Sequence, residues 1–117
     1  MKQSPEADKV YLAHMLECIA RVVEYAGNDE AGFRASQLVQ DAVVRNLQTL
    51  AESSQRLTEN IKATEPATPW RAISGFRNIL VHDYLAIDVD AVWQVVSKEL
   101  PPLKSALERM AEKRRLG

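Results

Sequence analysis

An all-α fold, an antiparallel bundle of four to five helices, is what this sequence predicts, and three observations predict it. Apolar residues recur at helical spacing in several separate segments, with no alternating strand pattern between them. Only four glycines and five prolines punctuate the 117 residues, and the prolines fall near segment ends. Capping residues stand where the apolar stripes begin. A chain of this length makes one domain, residues 1–117, able to bury roughly two-thirds of its unfolded surface.

The first helix is expected to begin after Asp8 as its N-cap, to carry Leu12, Met15, Leu16, Ile19, Val22, Val23 and Ala26, and to stop at Gly27. Residues 28–35 read as a loop or short turn with Phe33 tucked beneath it. Ser36 caps a second, longer helix expected to reach about Ala63, with Val39, Val43, Leu47, Leu50, Ser54, Leu57 and Ile61 as its stripe. Thr68 as N-cap and Pro69 at the first helical position start a third helix, which presents Trp70, Ile73, Phe76 and Leu80. Asp88 caps a fourth, whose core face is Ala91, Val92, Val95, Val96 and Leu100. Pro101-Pro102 should kink or restart it, because proline removes a hydrogen bond and clashes with the preceding turn, and Leu103, Leu107 and Met110 resume the stripe.

Composition excludes several function classes. No apolar run approaches the ~20 residues that span a bilayer, and the N-terminus lacks the apolar core of a signal peptide, so no membrane association is expected. The single Cys18 rules out an internal disulfide and fits a reducing cytoplasm, the expected location. Two histidines and one cysteine argue against a zinc site, and neither a metal nor a cofactor is predicted. With a formal net charge of −1, any contact with nucleic acid must be a local patch or pocket.

The chemistry concentrates in one octapeptide, Arg77-Asn78-Ile79-Leu80-Val81-His82-Asp83-Tyr84, near the expected end of the third helix. RNA is cleaved when its 2′-hydroxyl attacks the adjacent phosphorus. That reaction needs a proton removed, the phosphorane's extra charge steadied, and the leaving 5′-oxygen protonated. His82 has the proton affinity for acid or base work near neutral pH. Arg77 is permanently charged and presents a planar fork to phosphate oxygens. Asn78 can position either group or donate to a non-bridging oxygen, and the route needs no metal. The bland alternatives are a surface cation at Arg77 and, at His82, a helix-end histidine bonded to terminal carbonyls.

Helix geometry constrains this constellation. Residues five apart are turned about 140° and displaced roughly 7.5 Å along an ideal α-helix. Arg77 and His82 therefore share no face of a regular helix, whereas Asn78 shares one with His82, and Arg77 shares one with Tyr84. Either the helix unwinds near His82, or the cleft is entered from more than one side. One histidine also supplies one proton-transfer group where the reaction wants two. A two-fold homodimer pairing the octapeptides would answer both difficulties.

Beyond the octapeptide, Tyr11-Leu12-Ala13-His14-Met15-Leu16-Glu17-Cys18-Ile19, Glu24-Tyr25 and Ala42-Val43-Val44-Arg45-Asn46-Leu47 resemble the first half of the HepT family. Pro69-Trp70-Arg71-Ala72-Ile73-Ser74-Gly75-Phe76 running into the octapeptide, then Val92-Trp93 and Leu100-Pro101, resemble its second half. HepT proteins are HEPN-domain ribonuclease toxins, and the resemblance covers nearly the whole chain. It implies a HEPN-like helical homodimer that joins paired Arg-x4-His motifs, and metal-independent RNA cleavage toxic to the cell. It also implies a partner antitoxin, the minimal nucleotidyltransferase MntA, which transfers AMP from ATP to the tyrosine matching Tyr84. Nucleotide phosphates beside Arg77 would give it a captive anion and repel RNA. One departure stands out: Ala51-Glu52-Ser53 replaces the family's Gly-Glu-Ala in the second helix, a change expected to bear on interface geometry.

The reading that follows is a cytoplasmic, homodimeric endoribonuclease acting on RNA, with transfer and messenger RNA both open as substrate. Arg77, His82 and Asn78 are the catalytic set, and Tyr84 is the AMPylation site. Asp83 either orients His82 or solvates the helix end. Glu52 is either partly inward-facing, with Arg45 or Arg77 as partner, or lies on a solvated face. The alternative is a non-catalytic, nucleotide-binding HEPN partner subunit of a minimal nucleotidyltransferase, and a third reading is a purely structural adaptor. His14 reads as a structural or dimer-interface histidine, Cys18 as a core filler, and Trp70 and Trp93 as core anchors rather than base-stacking platforms. The basic stretch 109–115 either holds RNA or the antitoxin, or is an exposed helix end.

Overall fold

The computed structural model describes residues 4–76, 81–82 and 86–116, with the backbone alone at 81, 82, 86 and 114–116. Helix dominates these residues, as the stripes predict, and the one extended feature is a two-stranded ribbon. Helix α1 spans Pro5–Ala26. It starts a turn earlier than expected, because Ser4 is the cap: its Oγ accepts from the Ala7 N–H at 3.1 Å, and Pro5 occupies a position that needs no donor. Gly27, at φ 53°, ends α1 in a backbone region that side chains other than glycine's rarely adopt.

Asp8, expected to cap α1, is instead fully inside it and only 1 % exposed. Its carboxylate accepts from the Thr58 N–H at 2.9 Å and from the Thr58 Oγ1 at 2.7 Å. The acidic side chain thus joins two parts of the chain distant in sequence, which no local pattern announces.

The segment expected to be a loop or turn contains a short helix, α2, over Glu30–Ala35. Asp29 caps it by accepting from the Gly32 N–H at 2.9 Å, and Gly32 leaves room for that cap, since a Cβ there would lie 2.2 Å from the Asp29 Oδ2. Phe33 is buried as predicted and meets the Trp93 ring at 5.3 Å between centroids. The Gln40 side chain donates to the Phe33 and Arg34 carbonyls, satisfying acceptors at the end of α2.

Helix α3, Gln37–Gln55, begins at Ser36, whose Oγ accepts from the Val39 N–H at 3.2 Å. It stops short of Ala63. Arg56 is its C-cap, and Thr58 caps a separate helix, α4, over Glu59–Lys62. The hold of Asp8 on Thr58 accounts for the break: the Thr58 N–H is turned to a carboxylate instead of a helical carbonyl. Leu57 and Ile61 stay buried across the interruption, so the apolar stripe outlasts the helix that was read from it.

Helix α5 covers Trp70–Ser74, preceded by Pro69 without a side-chain cap bond, so Thr68 is not the cap expected of it. The Trp70 indole N–H donates to the Lys62 carbonyl at 3.1 Å and the Glu65 carbonyl at 3.2 Å, which fixes the 63–69 connection. Strands β1, Val81–His82, and β2, Ala86–Ile87, pair antiparallel with Val81 opposite Ile87 and His82 opposite Ala86. Asp88 then caps α6, Val89–Gln94, accepting from the Ala91 N–H at 3.0 Å as predicted.

Where the two prolines were expected to kink or restart the helix, the backbone instead widens. Residues Val95–Glu99 form a π-helical turn that runs without a break into α7, Leu100–Leu116. The prolines follow directly on this wider turn, in which the Leu100 N–H reaches the carbonyl of Val95.

The core is built on α1 against α3, with α7 also on α1. Contacts pairing Asp8 with Thr58 and His14 with Ser53 show that α1 and α3 run antiparallel. Leu12, Met15, Ile19, Val22, Val43, Leu47, Leu50, Val92, Leu107 and Met110 are each at most 1 % exposed. Ala51 is fully buried in this cluster, so the departure from the family's glycine is accommodated inside the protomer's own core. Among the described residues, no helix is long and apolar enough to cross a membrane.

Candidate active site and an adjoining groove

The described residues flanking the octapeptide are held by the core. Upstream, Phe76 is 3 % exposed and belongs to the core. Downstream, Ile87 packs against that core, and β2 lies on α3. Between these anchors, Val81 and His82 are extended and paired with β2. The expectation that the third helix carries the octapeptide is corrected at these residues: the chain is strand there, the unwound one of the two geometries left open. Successive residues of a strand alternate between faces, so Val81 and His82 lie on opposite faces of the ribbon. Arg77, Asn78, Asp83 and Tyr84 lie outside the described residues.

Glu52 is exposed on α3 and makes no ion pair with Arg45; Arg77, the other partner expected for it, lies outside the described residues. Its neighbour Ser53 is buried and shares a hydrogen bond of 3.4 Å with the His14 Nδ1, which gives that histidine a link between α1 and α3. Cys18 is a core filler as predicted: burial pushes its thiol pKa up, Arg21 opposes this, and Glu17 adds to it. Trp70 and Trp93 both pack against the core, as anchors should. At the start of the basic stretch, Arg109 grips Glu65 with two bonds, Nη2 to Oε1 at 2.7 Å and Nε to Oε2 at 3.2 Å. The Arg109 guanidinium holds the Glu65 carboxyl below its ordinary pKa, against the opposing effect of burial.

Sequence reasoning missed one feature, a groove of about 440 Å³ along the outer side of the α1/α3 pair. His14, Arg21 and Tyr25 line it from α1, and Arg45, Asn46 and Thr49 from α3, with Cys18 beneath. Its signal was present as spacing: His14 and Arg21, like Cys18 and Tyr25, are seven apart and share a helix face. Reading α1 for its apolar stripe alone passed over it.

The model of the ribonuclease HepT-like family matches residues 15–110, a span that includes the whole octapeptide. A protein of Methanocaldococcus jannaschii, named as a gamma-glutamylcyclotransferase and candidate RNase, is 32% identical over 89% of this chain; the chain spans 47% of that relative. A second protein of the same organism, named as a candidate RNase, is 31% identical over 86% of the chain and 93% of its own length. The "Probable ribonuclease HepT" of Thermococcus cleftensis is 30% identical over 87% of the chain and 94% of its own length. No solved structure matches the chain significantly. With most of the chain matched by the family model and by relatives of nearly its own length, the protein belongs to the HepT-like ribonuclease family.

Proposed function

We propose that this ribonuclease is the toxin of a toxin–antitoxin pair, a homodimer that cuts RNA without metal through paired Arg77 and His82 groups. The observation that carries the reading is the extended backbone at His82, held between the Phe76 and Ile87 anchors inside the family-matched region. The imidazole of one subunit takes the 2′-hydroxyl proton as that oxygen bonds to phosphorus. The other subunit's imidazole gives a proton to the departing 5′-oxygen as the P–O bond breaks. The products are a 2′,3′-cyclic phosphate and a 5′-hydroxyl, and the two proton transfers balance. Arg77 neutralises the phosphorane, and Asn78 positions the phosphate or the imidazole. Asp83 and the exposed Glu52 are supporting groups, Asp83 by orienting His82 or solvating the hairpin. An MntA-type nucleotidyltransferase silences the enzyme by attaching AMP to Tyr84, which sets phosphate beside Arg77.

Purified protein should cleave RNA in EDTA, and Arg77→Ala or His82→Ala should each lower the rate by at least about a hundredfold without dissociating the dimer. Equal residual cleavage in wild type and both variants would instead assign the activity to a contaminant and the chain to nucleotide binding. Co-expression with an MntA-type nucleotidyltransferase should add mass in steps of ~0.33 kDa, as covalent AMP requires, and Tyr84→Phe should abolish them. An unchanged mass beside a demonstrably active partner would remove the AMPylation step and leave the nuclease intact.

A further inference from the structure

The α1/α3 groove concentrates cationic and hydrogen-bonding groups on a chain whose formal net charge is −1. Arg21 is bonded to Glu17 at 2.5 Å, so it is partly compensated, while Arg45 makes no ion pair among the described residues. Asn46 spends one amide hydrogen on the Ala42 carbonyl at 2.9 Å, which orients its carbonyl oxygen as an acceptor. Tyr25, 42 % exposed, offers an aromatic face at one end of the groove. Two planar guanidiniums, an amide and an open phenol ring are the groups that hold a nucleic-acid strand by its phosphates and one stacked base.

We propose that this groove seats the sugar–phosphate backbone of the RNA, Arg21 and Arg45 taking phosphates and Tyr25 stacking a base beyond the cleavage site. The assignment rests on the ribonuclease reading and extends it from the reacting phosphate to the strand on either side. Helix α3 forms one wall of the groove and also supports β2, the strand paired with His82, so one rigid element links both regions. A second copy of the chain is the poorer occupant. Seated symmetrically, it would bring the same guanidiniums against one another, a like-charge contact that costs affinity.

The test separates binding from cleavage. A fluorescein-labelled 2′-O-methyl oligonucleotide cannot be cut, because its nucleophile is blocked, and its anisotropy with the full-length protein reports affinity alone. The Arg21→Gln/Arg45→Gln double variant should bind it about tenfold or more weakly, and the slope of log affinity against log salt should fall by ~1.4, about 0.7 for each lost phosphate contact. Lysine at both positions should restore most of that slope. With unmodified RNA, the glutamine variant should raise KM and leave kcat unchanged at saturation. Unchanged affinity and slope, or no binding by the wild type, would overturn the groove. A variant whose only defect is a shifted monomer–dimer equilibrium by light scattering would overturn it too, identifying a subunit interface. Wild-type protein that binds the oligonucleotide but never cuts RNA would refute the nuclease reading separately.

Discussion

The two buried carboxylates among the described residues, Asp8 and Glu65, do work that neither advertises in sequence. Asp8 sits where a helix cap was expected, and Glu65 lies between the expected second and third helices. Their partners, Thr58 and Arg109, are 50 and 44 residues away, beyond any local pattern. The pairing of Glu65 has a pH signature. Its folded pKa is depressed chiefly by the bonds from Arg109, so the stabilisation is fully present above the unfolded glutamate value and is lost as pH falls through the lower, folded one. Arg109 is largely exposed, so replacing it with glutamine removes charge with little loss of packing. Urea unfolding of wild type and Arg109→Gln across the acidic range should give curves that differ near neutrality and converge at low pH. Parallel curves would show that the pair does not couple to folding.

At the scale of elements, what was legible was whatever repeats. Most residues of the α1, α3 and α7 stripes are buried as read, but Val23, expected on the core face of α1, is 55 % exposed, and Leu16 and Val39 are half-buried; Ser36 and Asp88 cap the helices they were expected to cap. What could not be read depends on contacts between elements. The end of α3 is set by Asp8 on α1, and the hairpin at His82 joins strands of two residues each, too short for alternation to register. The same holds at Pro101-Pro102, where sterics demand some distortion but cannot choose between a kink and a π turn. The Asp8–Thr58 tie should therefore matter more than an ordinary cap. Asp8→Ala leaves a part-buried N–H and hydroxyl without their acceptor, and should cost about 1–3 kcal/mol. Asp8→Asn, which keeps one acceptor oxygen, should cost less. Chemical denaturation measures both, and an alanine variant as stable as wild type would mean that Thr58 finds another partner.

At the scale of the whole molecule, the proposed chemistry outgrows a single chain. Each subunit contributes one Arg77 and one His82, yet transesterification needs two proton transfers and a clamp on one phosphate. The extended backbone at His82 supplies no second imidazole. Symmetry does, and it yields a prediction that no single-chain site shares. Arg77→Ala homodimers keep two imidazoles and no clamp, and His82→Ala homodimers keep two clamps and no imidazole. Mixed under conditions that exchange subunits, the two variants form heterodimers, about half of all dimers at equal input by random pairing. Each heterodimer holds one arginine and one histidine on opposite subunits. Were the site contained within one chain, no combination would place both groups in the same site, and the mixture would be as inactive as its parts. If the site is shared, RNA cleavage should reappear on mixing at a fraction of the wild-type rate, because one imidazole and one clamp are still missing, follow the rate of subunit exchange, and vanish when exchange is blocked by cross-linking each homodimer beforehand.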